Sequence, residues 1–153
     1  MPTQLPAAML NILDASQPSP YKQATNPAGQ QIPYWYLFTG GADGNGTMYV
    51  SLSRNGDSQM AVDSQAGTAY AMESVTIMEN GHPLPQGDPR FSTAIAANGY
   101  SCTITDWIAR EPGDPTQNYY YQITLKDTRS GKNGQLIVVD PTIQNRPILL
   151  AQP

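Results

Sequence analysis

The sequence predicts an all-β protein, an antiparallel two-sheet sandwich of immunoglobulin-like layout. Three observations predict it. Five Asn-Gly pairs, Asn45-Gly46, Asn55-Gly56, Asn80-Gly81, Asn98-Gly99 and Asn133-Gly134, punctuate the chain. Both residues tolerate the positive φ that a two-residue type I′ turn requires, so each pair is a hairpin signal where strand-like runs flank it. Between them lie short runs that alternate apolar and polar side chains, the period of a half-buried strand. No stretch carries helical periodicity long enough for the crossover that joins parallel strands, so a parallel sheet is not expected.

Residues 8–14 form the first apolar segment, read as a strand because everything after it is β. Residues 16–33 hold Pro18, Pro20, Pro27 and Pro33 among polar residues and read as one long loop. Tyr34 to Phe38 is an aromatic strand. In the next, Met48, Val50 and Leu52 alternate with Tyr49, Ser51 and Ser53. A strand at 59–62 comes after Asn55-Gly56, and 68–79 is one bent strand or two short ones with Val75 and Ile77 inward. A Pro-rich stretch through Pro89 leads to the clearest hairpin, Phe91, Thr93 and Ile95 against Tyr100, Cys102 and Ile104. A last hairpin joins 119–125 to 136–139, and Asp140-Pro141 ends its pairing because proline lacks an N–H. About eight short strands with frequent turns suit a sandwich.

Composition bounds the function. The 153 residues suggest one domain over 1–153, with its loop at 16–33 and an apolar tail at 147–153. Charged residues are only 13%, so copies repel one another weakly and self-association is favoured. Net charge is −4, and the eight Lys and Arg residues are scattered, which argues against a nucleic-acid partner. Three of them gather between Lys126 and Lys132, read as a solvated hairpin tip. Cys102 is the only cysteine, so no internal disulfide forms; on an alternating strand it reads as a small buried hydrophobe. No apolar run approaches a membrane span, and the start lacks the pattern of a signal peptide, so a cytoplasmic protein is expected.

Chemistry-bearing motifs are few. His82 is the only histidine and sits in a turn, with no nucleophile elbow to serve. One His and one Cys do not make a zinc site. Asp43 and Asn45 lie in a Gly-rich loop that offers oxygens to calcium, a weak signal without the full ligand spacing. The carboxylates Glu73, Glu79, Asp88, Glu111 and Asp114 read as solvated charges, so no catalytic residue is assigned.

Aromatic residues are the more informative set. Alternation sends Tyr119 and Tyr121 to one face and Tyr120 to the other, so one ring of the triplet is exposed; the same holds for Tyr34, Trp35 and Tyr36. Tyr34, Trp35, Tyr36 and Tyr120 are therefore the candidate ligand-binding residues, able to stack on a glycan or anchor a protein. Ile148, Leu149 and Leu150 are the candidate interaction segment.

The order of these elements resembles the PixA/AidA family of bacterial inclusion-body proteins. The early apolar strand ending in an acid, Met9 to Asp14, is similar to that family's opening, and a Pro- and Asn-rich loop and a Tyr-rich strand come next in the same order. The ending matches best: a Tyr-rich strand, a polar turn, an aliphatic strand, then Asp140-Pro141-Thr142-Ile143. The resemblance implies a β-sandwich that accumulates in the cell, sometimes as inclusions, with no settled enzymatic activity. Two functions are thus expected, in order. The first is a non-enzymatic structural or interaction protein that associates with itself or another protein. The second is a carbohydrate-binding module, with calcium as an optional cofactor.

Overall fold

Alternation in the sequence becomes alternation in burial. In the computed structural model, which describes residues 3–41, 44–46, 48–51, 57–64, 69–108, 117–139 and 142–146, every element is a strand. There are thirteen among the described residues: β1 (Thr3–Gln4), β2 (Ala8–Leu13), β3 (Lys22–Thr25), β4 (Gln31–Gly40), β5 (Met48–Ser51), β6 (Asp57–Ser64), β7 (Tyr70–Glu79), β8 (His82–Pro83), β9 (Phe91–Ile95), β10 (Ser101–Trp107), β11 (Gln117–Asp127), β12 (Leu136–Val139) and β13 (Thr142–Arg146). The all-β expectation is met. Ala8, Leu10 and Ile12 of β2 are buried while Met9, Asn11 and Leu13 between them are half-exposed, the period of two that a half-buried strand requires.

The two-sheet, antiparallel immunoglobulin-like arrangement is not what forms. The strands join in one sheet in the order β5-β13-β11-β12-β3-β4-β2-β6-β10-β9, with β7 and β8 continuing from the other edge of β11 and β1 beside β6. The sheet is mixed: β1 and β2 run parallel to β6, and β5 runs parallel to β13. Parallel pairing here needs no helix. Between β2 and β6 the chain runs through β3, β4 and β5, so other strands of the same sheet serve as the crossover.

Long strands make the sheet continuous. The eleven-residue β11 pairs with β13 along its first half and with β12 along its second, while β7 lines its other edge. The β7 register slips between Thr124 and Leu125, leaving Glu73 as the extra residue of a bulge, and a bulge bends the strand that carries it. Thus curled, the sheet brings β7 next to β9, and the Met72 N–H donates to the Gly99 carbonyl at 2.8 Å. No strand pairing joins β7 to β9 among the described residues. The interior is filled by Leu10, Ile12, Met60, Ile104, Ile123, Leu125 and Ile137, none more than 1% exposed. Each such side chain contributes roughly 1.5–3 kcal/mol by leaving water.

Other expectations change in detail. The segment 16–33 is not one loop, because β3 and the start of β4 lie within it. Asp140-Pro141 does not end pairing: β13 comes after it and returns to β11. Of the Asn-Gly pairs, Asn80-Gly81 and Asn133-Gly134 have positive φ at both residues, as type I′ requires. At 98–99 only Gly99 does, in a turn closed by Gly99 N–H to the Ala96 carbonyl at 2.8 Å. At 45–46 only Gly46 does, and Asn55-Gly56 lies outside the described residues.

Candidate functional site

Strand parity separates the aromatic residues that the sequence groups. On β4, Tyr34 and Tyr36 point inward, 4% and 6% exposed, and each meets another ring edge-on: Tyr34 with Tyr70, Tyr36 with Phe38. Trp35 lies half-buried on the outer face, opposite Leu13 of β2 and Gln23 of β3. On β11, Tyr119 and Tyr121 are buried while Tyr120 is 46% exposed. Two of the four candidate rings are thus core residues, and the other two stand on different stretches of the sheet. Asn45 is exposed; Asp43 and residues Ile148, Leu149 and Leu150 lie outside the described residues. Among the described residues no group of three His, Cys, Asp or Glu side chains gathers as metal ligands do. Cys102 is 1% exposed, and burial pushes its thiol up to about 12, far from the range of a reactive thiolate.

The sequence reading missed two copies of one device. Asp88-Pro89-Arg90 and Asp127-Thr128-Arg129 each fold so that the arginine grips its own aspartate two residues back. In the first, the Arg90 N–H and Nε donate to Asp88 Oδ1 at 2.9 and 3.0 Å, and Nη2 donates to Oδ2 at 2.9 Å. In the second, the same three Arg129 donors reach the same Asp127 oxygens at 3.1, 3.0 and 2.8 Å. Each guanidinium lies over a tyrosine, Arg90 over Tyr119 at 6.0 Å and Arg129 over Tyr70 at 5.2 Å. Each then ties in a distant acid. Arg90 Nη1 donates to both Glu79 oxygens at 3.1 Å, and Arg129 Nη2 donates to Asp14 at 3.0 Å.

Electrostatically these clamps are closed. Hydrogen bonds from Arg90 hold Asp88 down at about 2. Burial alone would raise Asp127, yet the bonds from Arg129 and from the Tyr34 hydroxyl, 2.8 Å away, outweigh it and leave this carboxyl at about 2 as well. Lys132 joins Asp14 at 3.3 Å, so the basic turn from Lys126 to Lys132 is partly an ion-pair cluster rather than a wholly solvated tip. Glu79 and Asp88, read as solvated charges, belong to the first clamp. The Asp-x-Arg spacing is the signal that could have found both.

Between the first clamp and the Met72–Gly99 bond lies a cleft of about 540 Å³ along the seam of the curled sheet. Its walls are Ser74 to Ile77 of β7 and Phe91 to Thr93 of β9, with the 84–88 segment at one side. Among the described lining residues only Asp88 is charged, and it is paired with Arg90. Trp107, 44% exposed, anchors its indole N–H on the Ser92 hydroxyl at 3.0 Å. A smaller hollow of about 350 Å³ lies over the second clamp, against residues 11–14, Tyr70 and Arg129. No helix among the described residues is long and apolar enough to cross a membrane.

No protein-family model matches this chain, and no curated protein matches it.

Proposed function

We propose that this is a non-enzymatic interaction protein that associates with itself or with another protein through an uncharged, Tyr-bearing face of its curled sheet. The observation that carries the reading is the surface around Tyr120. Register sets Tyr120 opposite Met78, Gln122 opposite Thr76, and Thr124 between Ser74 and Val138. None of these side chains carries a charge, and Tyr120 is the most exposed of the described large apolar residues. An exposed tyrosine amid uncharged neighbours offers large contact area at little desolvation cost. The closed ion-pair clamps also support it, since they leave neither aspartate poised as an acid or base near neutral pH. Membership of the PixA/AidA inclusion-body family, and residence in the cytoplasm, belong to the same proposal.

Size-exclusion chromatography with light scattering over a wide concentration range tests it. The expected result is a mass that rises with concentration, and a Tyr120→Lys variant that needs at least about tenfold more protein to reach the same mass. A native protein that stays monomeric throughout defeats the self-association form.

Carbohydrate binding is the second reading, favoured by Trp107. Its half-exposed ring beside a cleft of hydroxyl-bearing side chains is a better stacking platform than the buried Tyr34 and Tyr36. A glycan array probed with and without chelator, using native protein and Trp107→Ala, distinguishes it; calcium dependence would return attention to Asp43 and Asn45.

A further inference from the structure

The seam between β7 and β9 has a property that neither strand shows alone. In a strand, the N–H and C=O of one residue point to the same side, and successive residues alternate. On β9, the Ala96 N–H reaches Ser101 and the Arg90 carbonyl accepts from Trp107, so the even-numbered residues face β10. Phe91, Thr93 and Ile95 therefore turn their backbone groups away from β10, toward the seam. On β7, the Met72 N–H reaches Gly99 and the Ile77 carbonyl accepts from Leu84, both on the side away from β11. The bulge at Glu73 shifts the parity between these two, which places the backbone groups of Val75 on the seam side as well. Two strand edges thus look at each other across the cleft with no pairing between them.

We infer that this cleft takes an extended, uncharged peptide segment of a partner protein, held by backbone hydrogen bonds to the strand edges at Thr93 and Val75. This rests on the partner-binding reading above and gives that partner a chemistry. An unpaired strand edge is a template for an added strand. Floor and rim agree with such a ligand. Ile77 and Phe91 are buried and Val75 half-buried, giving apolar footing for alternate side chains, while Ser74, Thr76 and Thr93 supply hydroxyls. Among the described lining residues only Asp88 is charged, and Arg90 already pairs with it, so a charged ligand would lose hydration with little in return. Length is bounded too. The seam is fastened beyond both ends, by Met72 to Gly99 and by Glu79 to Arg90, leaving an opening that β7 spans with about four residues.

The probe is a blocked tetrapeptide alternating threonine and valine, titrated into isotope-labelled full-length protein and followed by amide NMR shifts. Saturable shifts centred on Val75 and Thr93 are expected. Methylating the peptide's backbone nitrogens should weaken binding about tenfold or more, the equivalent of a lost hydrogen bond or two. The variant Thr93→Pro should do the same, because it deletes an N–H on the free edge and leaves the β9–β10 ladder intact. Equal binding of the methylated peptide, shifts centred on Tyr120, or no saturable binding overturns the inference. Failure here, in a protein that still associates through Tyr120, removes the seam site and leaves the partner-binding reading standing. A strict monomer that binds the peptide removes only the self-association form and leaves the seam site standing.

Discussion

Asp127 shows how one side chain can hold a fold together without being usable for chemistry. Its carboxylate has no exposed surface and accepts from Tyr34 and from three donors of Arg129. Asp127→Asn keeps the shape and removes the charge, which leaves Arg129 and Tyr34 poorly matched. Since the guanidinium is about one-third exposed, water recovers part of the loss, and a cost of about 2–3 kcal/mol is expected in urea denaturation at pH 7. The same pair sets the sign of the pH dependence. Asp127 sits at about 2 in the folded state against an ordinary value of 3.8, so its stabilisation is complete above about pH 4 and lost as pH falls through 2. The gap between native protein and variant should therefore narrow steadily as pH falls from about 4 to 2. A gap that is constant with pH would mean that packing, not charge, is at work. Asp88→Asn should cost less, because Asp88 retains some exposure to water.

Turns decide where strands end, and glycine is required at some for space as well as for backbone angle. Gly46 has φ +79, and a Cβ there would come within 2.6 Å of the Phe38 Cβ. Its carbonyl also accepts the buried Tyr121 hydroxyl at 2.8 Å. Gly81 has the same φ but nothing within 4 Å of a Cβ. Both alanine variants carry the backbone penalty of about 1–2 kcal/mol. Gly46→Ala adds an overlap with the core, so its unfolding midpoint should fall well below that of Gly81→Ala. Equal midpoints would show that the 44–46 segment yields freely. At this scale much was readable: period-two patterning located β5, β9, β10 and the middle of β11, while β2 and β4 showed as an apolar and an aromatic run. The β3 strand was hidden because Lys22 to Thr25 has a single buried side chain, Ala24. Likewise β13 was hidden behind Pro141, since a proline marks a break in pairing without marking where the next strand starts.

The charge of the whole molecule bears on how copies meet. With a net charge of −4 and an isoelectric point near 4.6, repulsion between copies is weak at neutral pH and vanishes on acidification. If the uncharged Tyr120 face drives association, the light-scattering mass should rise as pH falls from 7.5 toward 4.6. Added salt at pH 7.5 should act in the same direction, raising it modestly, since salt screens the same repulsion. A strong loss of mass with salt would point instead to contacts between charged groups. The candidate sites belong to this scale and were the least legible. Tyr34 and Tyr36 were grouped with Trp35 by adjacency, yet adjacency on a strand puts neighbours on opposite faces. The seam cleft joins residues near 75 to residues near 92, and the clamp at Arg129 joins residues 14, 70 and 127. The seam cleft leaves no mark along the chain, and of the clamp only the Asp127-x-Arg129 spacing does, not its reach to residues 14 and 70.

The all-β class, the alternation of faces along most of the long strands and the low charge were determined by the sequence alone, because each depends on composition or on neighbours within a few residues. The two hairpins, β9 with β10 and β11 with β12, were legible too, but the pairing of strands distant in sequence was decided only in three dimensions. An unpaired strand presents the same N–H and C=O groups to any partner, parallel or antiparallel, so pairing is chosen by how the whole sheet closes over its core. That choice turned two expected layers into one curled sheet, buried two of the four proposed rings, and left an open seam between β7 and β9.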